Sequence, residues 1–150
     1  MDNKITPGEI VVMAAGAVAL IASFLPFYKQ ETFNAELETV DKNFSAWSSD
    51  FPFLFPVATL IAIFAVVAGL LVVLTKFANV DLSRGFLGFG FTQLLLALGF
   101  FSAILALAYL IQDKGTTDTG FGYWLLLIAA LASIVGAVLI RNERGATGTV

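Results

Sequence analysis

The two side chains that carry most acid–base, nucleophilic and metal chemistry are missing from this 150-residue sequence, which has no His and no Cys. Imidazole and thiolate metal sites, axial His ligation of haem, His-based proton transfer, thiol redox chemistry and disulfides are all excluded. What remains is a small set of carboxylates, hydroxyls and amides. Glu36, Glu38 and Asp41 lie close enough in sequence to share a cation, but they lack the Asp/Asn spacing of a calcium loop and read more simply as a solvated face. Ser45, Ser48 and Ser49 have neither a His nor a Lys in register to take up a hydroxyl proton, so nothing activates a nucleophile. Thr92 and Gln93 are the strongest polar pair inside a long apolar run. They suit either a polar pore lining or an interhelical hydrogen bond worth roughly 0.6–2 kcal/mol, and the hydrogen bond is the simpler use. No catalytic, cofactor-binding or metal-binding residue is expected, and the charge balance of −3 with scattered Lys and Arg leaves no basic patch for nucleic acid.

The elements that would position these groups are four uncharged runs, 10–28, 51–75, 85–112 and 119–140. All eight Lys/Arg and all eleven Asp/Glu fall at their ends or between them, and 59% of the chain is hydrophobic. A soluble domain is nearer 45–50% apolar, so the excess calls for a second solvent. A bilayer core about 30 Å thick takes roughly 20 helical residues at about 1.5 Å each, and a charge at a span centre costs roughly 2.5–3.5 kcal/mol. The runs lack the strict alternation of a membrane β-barrel. The expected fold is all-α: one integral membrane four-helix bundle with spans at about 8–28, 52–75, 86–111 and 120–140 and an outer loop at 29–51. Ala17-Val18-Ala19 resembles a leader-peptide cleavage site but sits mid-run, so the first run is read as a retained span.

Thr6-Pro7-Gly8-Glu9 reads as a capping box with Pro at the first helical position. Glu9 at a pore mouth would be the alternative use. Pro26 ends the first span, with Phe27 and Tyr28 at headgroup depth. In the connection that follows, Phe33, Leu37, Val40, Phe44 and Trp47 recur at helical spacing, while Phe33, Ala35, Leu37 and Thr39 alternate like a strand. The leaning is to an amphipathic segment on the membrane surface, with an irregular loop as the alternative. Phe51 to Pro56 opens the second span with prolines in its first turn and a collar of phenylalanines. Asp81 or Ser83 suits the cap of the third helix. The Gly/Phe alternation at 85–91 is not a phosphate loop, because no strand precedes it and no Gly-Lys-Ser/Thr closes it. The tail at 141–150 reads as disordered.

Small residues at four-residue spacing mark the packing faces. They are Ala15, Ala19 and Ser23; Ala58, Ala62, Ala65 and Gly69; Gly99, Ala103, Ser102 and Ala106; and Ala129, Ser133 and Ala137 beside Ala132 and Gly136. Lys4, Lys76, Arg84, Arg141 and Arg144 fall on one side and Lys29, Lys42 and Lys114 on the other, so both termini are expected to be cytoplasmic. Trp47, Trp124, Tyr28 and Tyr123 then form an aromatic belt at the outer interface.

Ser23-Phe24-Leu25-Pro26-Phe27-Tyr28, Ala46-Trp47-Ser48 with Phe53-Leu54-Phe55-Pro56, and Gly120-Phe121-Gly122-Tyr123-Trp124 occur in that order. On these short motifs the chain, over about residues 8–142, resembles small four-span membrane proteins of actinobacteria. More loosely it is similar to the membrane part of the mycobacterial 34 kDa antigen family, whose Pro/Gln/Gly-rich tail has no counterpart in this sequence. The resemblance supplies no catalytic residues. The expected function is a non-enzymatic plasma-membrane protein of the bacterial inner membrane, an accessory or scaffold component of the cell envelope. Its interaction candidates are Phe33, Leu37, Phe44, Trp47, Tyr123 and Trp124. Its expected partners are the lipid bilayer and either a second copy or a larger membrane complex, without metal or cofactor. A small oligomeric channel around Thr92 and Gln93 is the alternative, and a lipid-modifying enzyme a distant third.

Overall fold

The capping box at the start of the chain and the proline after the first apolar run delimit the first helix as their chemistry requires. In a computed structural model of the protein, which describes residues 5–33, 39–49, 55–78, 80, 88–112 and 117–147, α1 runs Pro7–Phe24. The Thr6 hydroxyl accepts from the Glu9 amide at 3.4 Å, and the Glu9 carboxylate accepts from the Thr6 amide at 3.0 Å. At the other end Leu25 is extended, as a residue before proline must be. The chain then runs through β1 (Tyr28–Phe33), β2 (Thr39–Phe44), α2 (Phe55–Phe77), α3 (Phe91–Ile111), β3 (Thr117–Thr119) and α4 (Phe121–Thr147). All four helices are long and apolar enough to cross a membrane. The shortest, α1 with 18 residues, still reaches about 27 Å.

Successive helices pack side by side, α1 on α2, α2 on α3 and α3 on α4, and α4 closes the ring on α1. The small-residue stripes face inward. Ala15, Ala19, Ala58, Ala62, Ala65, Ala103, Ala106, Ala129 and Ala137 are buried, while Ala132 is half-buried. One approach is closer than those stripes alone suggest. A Cβ on Gly16 would lie 2.7 Å from the Gly69 Cα, so α1 and α2 cross backbone to backbone. Gly16 stands outside the Ala15–Ala19–Ser23 spacing. A similar fit places Gly99 of α3 against Ile134 of α4. The Ser102 hydroxyl donates to the Ile61 carbonyl at 2.9 Å and ties α3 to α2.

The connection after α1 is not an amphipathic helix, which corrects the all-α expectation. It is a hairpin joined by β3 into a three-stranded antiparallel sheet in the order β2-β1-β3. Pro26 forces an extended exit, and the strands satisfy the backbone that follows. The ladder pairs Tyr28 with Phe44 and Thr119, and Lys29 with Asn43 and Asp118.

Two further boundaries differ. The helix α3 begins at Phe91 behind a Gly90 cap, not at 86 behind Asp81 or Ser83, which lie outside the described residues. Gly88 adopts φ +83°, a left-handed backbone that favours glycine. The helix α4 continues through Arg141 to Thr147, where a disordered tail was expected.

Substituting Gly69 by Val inserts a branched side chain against the Gly16 backbone. We expect it to lower stability by about 1–3 kcal/mol, read by thermal unfolding in mild detergent. Ala132→Val, at a half-buried position, should change it by less.

Candidate functional site

Pro26 turns the chain across the end of the bundle, and Phe27 is the residue it delivers there. The Phe27 amide donates to the Phe44 carbonyl at 2.7 Å, and the Phe27 carbonyl accepts from the Gly120 amide at 2.8 Å. The strand is thus held on both sides. Gly122 completes the junction by donating to the Pro26 carbonyl at 2.8 Å. A side chain at Gly120 would collide with that same carbonyl, and one at Gly122 would lie 2.8 Å from the Ala22 carbonyl oxygen.

The Phe27 ring is fully buried between three tyrosines. Its centroid lies 4.9 Å from that of Tyr28, 5.0 Å from Tyr109 and 5.5 Å from Tyr123, all edge to face. Such pairs contribute about 0.5–1.5 kcal/mol each beyond their burial. The Tyr123 hydroxyl donates to the Ala106 carbonyl at 2.8 Å, which joins α4 to α3. These three are the only tyrosines in the chain. Tyr28 and Tyr123 do not form an exposed belt with Trp47 and Trp124, because both are fully buried. Tyr123 therefore turns inward and offers no surface to a partner. Tyr109 was not singled out from sequence, although it was the only tyrosine inside the third apolar run.

A second knot lies beside the first. The Trp47 indole Nε1 donates to the Ser23 Oγ at 2.9 Å, and that hydroxyl donates to the Leu20 carbonyl at 2.7 Å. The Ala46 amide donates to the Ser23 carbonyl at 3.1 Å, and the Thr59 hydroxyl donates to the Ala46 carbonyl at 2.9 Å. The segment at 45–47 is thereby sewn between the end of α1 and the first turns of α2. With its polar atom satisfied inside, Trp47 presents an apolar ring outward, 38% exposed and 6.2 Å from the exposed Phe24 ring. Trp124 and Phe121 are also exposed, at the start of α4.

Above this rim the sheet alternates. Tyr28 is buried and Gln30 and Thr32 are half-buried, while Lys29 and Glu31 point the other way and are exposed. Asp41, Asn43 and Asp118 share that exposed face through the ladder, with Glu31 opposite Asp41 and Lys29 opposite Asp118. Phe44 is half-buried against the aromatic cluster. Phe33 ends β1 opposite Thr39. Leu37, Glu36 and Glu38 lie outside the described residues.

Thr92 and Gln93 sit at the opposite end of the bundle. Gln93 is exposed in the first turn of α3, and its side-chain oxygen accepts from the Gly90 amide at 3.0 Å. Thr92 is half-buried. Glu9 lies at that end too, buried, with Lys76 Nζ 3.0 Å from its Oε2. No group of three or more Asp or Glu is placed to hold a metal among the described residues.

Three substitutions probe the sheet end. Trp47→Phe keeps the ring beside Phe24 and loses the bond to Ser23, an expected cost of about 1 kcal/mol. Adding Ser23→Ala to it should cost less than Ser23→Ala alone, measured as a double-mutant cycle. Burial raises the pKa of the Tyr28 phenol above its ordinary value of 10.0. A group raised on folding contributes stability that is intact below about pH 10 and is lost as pH climbs through the folded value. Tyr28→Phe should therefore move the alkaline unfolding midpoint upward, followed by circular dichroism against pH. No known family's sequence profile matches the chain, and no curated protein matches it.

Proposed function

We propose that this is a non-enzymatic integral membrane protein that works by binding. It crosses a plasma membrane, that of a bacterial inner membrane, four times, with both termini in the cytoplasm and the sheet outside. Its partner is a component of a larger envelope assembly, which it scaffolds. The observation that carries this reading is the build of the sheet end. One side of the sheet is bonded into the bundle through Tyr28, Phe44 and the Phe27 backbone. Its other side presents Lys29, Glu31, Asp41, Asn43 and Asp118 above a rim of exposed Phe24, Trp47, Phe121 and Trp124. Indole and phenyl rings suit the boundary between acyl chains and headgroups, which would leave the charged face in water as a rigid recognition surface.

The distribution of Lys and Arg along the sequence, five in the tails and the second connection against three in the first and third connections, supports the orientation. Of the motifs that carry the resemblance to four-span actinobacterial proteins, Ser23 to Tyr28, Ala46-Trp47-Ser48 and Gly120 to Trp124 meet at this end, while Phe53 and Leu54 lie outside the described residues. That coincidence supports a shared outer architecture.

Purification from native membranes in mild detergent should bring down a stoichiometric partner. The triple charge reversal Lys29→Glu, Asp41→Lys and Asp118→Lys should release it while leaving the thermal unfolding of the bundle unchanged. A partner that survives the reversal would move the contact to the helix surfaces. Reporter fusions at the two termini should read cytoplasmic, and an external reading would reverse the orientation.

A further inference from the structure

The two ends of the bundle are closed by different interactions. At the sheet end the helices are joined by main-chain hydrogen bonds and a buried aromatic cluster. At the terminal end α1 and α4 approach closely at Gly8 and Gly136, and the polar joints that cross between helices, among the described residues, each use a side chain. Lys76 Nζ of α2 lies 3.0 Å from Glu9 Oε2 of α1. The Gly8 amide of α1 donates to Glu143 Oε1 of α4 at 3.2 Å. The Arg144 guanidinium of α4 lies 5.0 Å from the centroid of the Phe91 ring of α3. Glu143 and Arg144 both belong to the stretch of α4 that continues past the fourth apolar run.

We infer that the bundle opens from its terminal end only, with this three-part clasp as the gate and the sheet end as the fixed pivot. The reason lies in what each joint becomes when it parts. Lys76 is 21% exposed along its side chain and Arg144 is exposed, so water solvates these cations as the joint parts and then reaches the Glu9 carboxylate, which is buried while the clasp is closed. Parting the sheet end would instead strip main-chain groups of Phe27, Phe44 and Gly120 inside an apolar setting, where an unmade hydrogen bond is costly. Local openings draw on the least stable joints of a fold. Between the ends, α1 and α2 touch backbone to backbone at Gly16 and Gly69, so the opening is confined to the turns on the terminal side of that contact. The surface uncovered is the second apolar cluster, Val12, Val72, Leu95 and Ile140.

Hydrogen exchange read by mass spectrometry, on the full chain in lipid nanodiscs, tests this. In the unmodified protein, amides at 8–14 and 136–143 should exchange faster than those at 22–30 and 117–124. In the double variant Lys76→Met, Glu143→Gln, exchange at the terminal end should rise about tenfold, the equivalent of about 1.4 kcal/mol, with the sheet end unchanged. Unaltered exchange at the terminal end, or an equal rise at both ends, would overturn the inference. If the double variant does not fold, the order of exchange in the unmodified protein decides: a sheet end that exchanges faster refutes a one-sided opening.

Discussion

How the chain leaves α1 governs the rest of the structure. Pro26 cannot continue a helix, and the residues after it enter the end of an apolar bundle rather than turning away. A peptide group placed there needs a partner on each side, because leaving one unmade costs roughly 2–7 kcal/mol in an apolar medium. Phe27 finds both partners, Phe44 on one side and Gly120 on the other. That demand brings β2 back against β1 and holds the start of α4 beside the end of α1. The glycines at 120 and 122 follow from the same demand, since side chains there would strike the carbonyls of Pro26 and Ala22.

The helices themselves are held more by size than by polarity. Lipid gives apolar side chains no reason to leave it, so close approach of small residues does the work that hydrophobic burial does in water. The Gly16–Gly69 crossing and the alanine-lined interior are the result. The polar contacts of the chain gather at its two ends, one held by aromatic rings and main-chain bonds, the other by an ion pair, a hydrogen bond to Glu143 and a cation–π contact.

Local signals were read well from sequence because their partners are local. The Thr6–Glu9 capping box spans three residues, and the stop at Pro26 needs only its own ring. The inward faces of the small-residue stripes follow from helical periodicity. The connection after α1 and the aromatic belt needed correction because they depend on contacts between distant segments, whereas Gln93 and the end of α4 turn on local ones. The segment after Tyr28 carried two periods at once, and only pairing with β2 and β3 chooses between them. Tyr28 and Tyr123 have side chains suited equally to an interface and to a core. Gln93 looked like the one polar anchor of a span, yet its side chain caps the amide of Gly90 beside it. The helix α4 outruns its apolar pattern because Arg141, Glu143 and Arg144 end a hydrophobic run without ending a helix.

The sequence by itself determined four apolar helices, their small-residue faces, the exclusion of His and Cys chemistry, and the crowding of polar residues at the ends. These are consequences of composition and of the short-range period of a helix. Only the tertiary structure decided that the first connection is a sheet, that Phe27 sits at the centre of three tyrosines, and that Glu9 meets Lys76 while Gly8 meets Glu143. Those pairings join residues up to 135 positions apart. No local pattern encodes such a partner, because the partner is fixed by which helix faces can come close enough to touch.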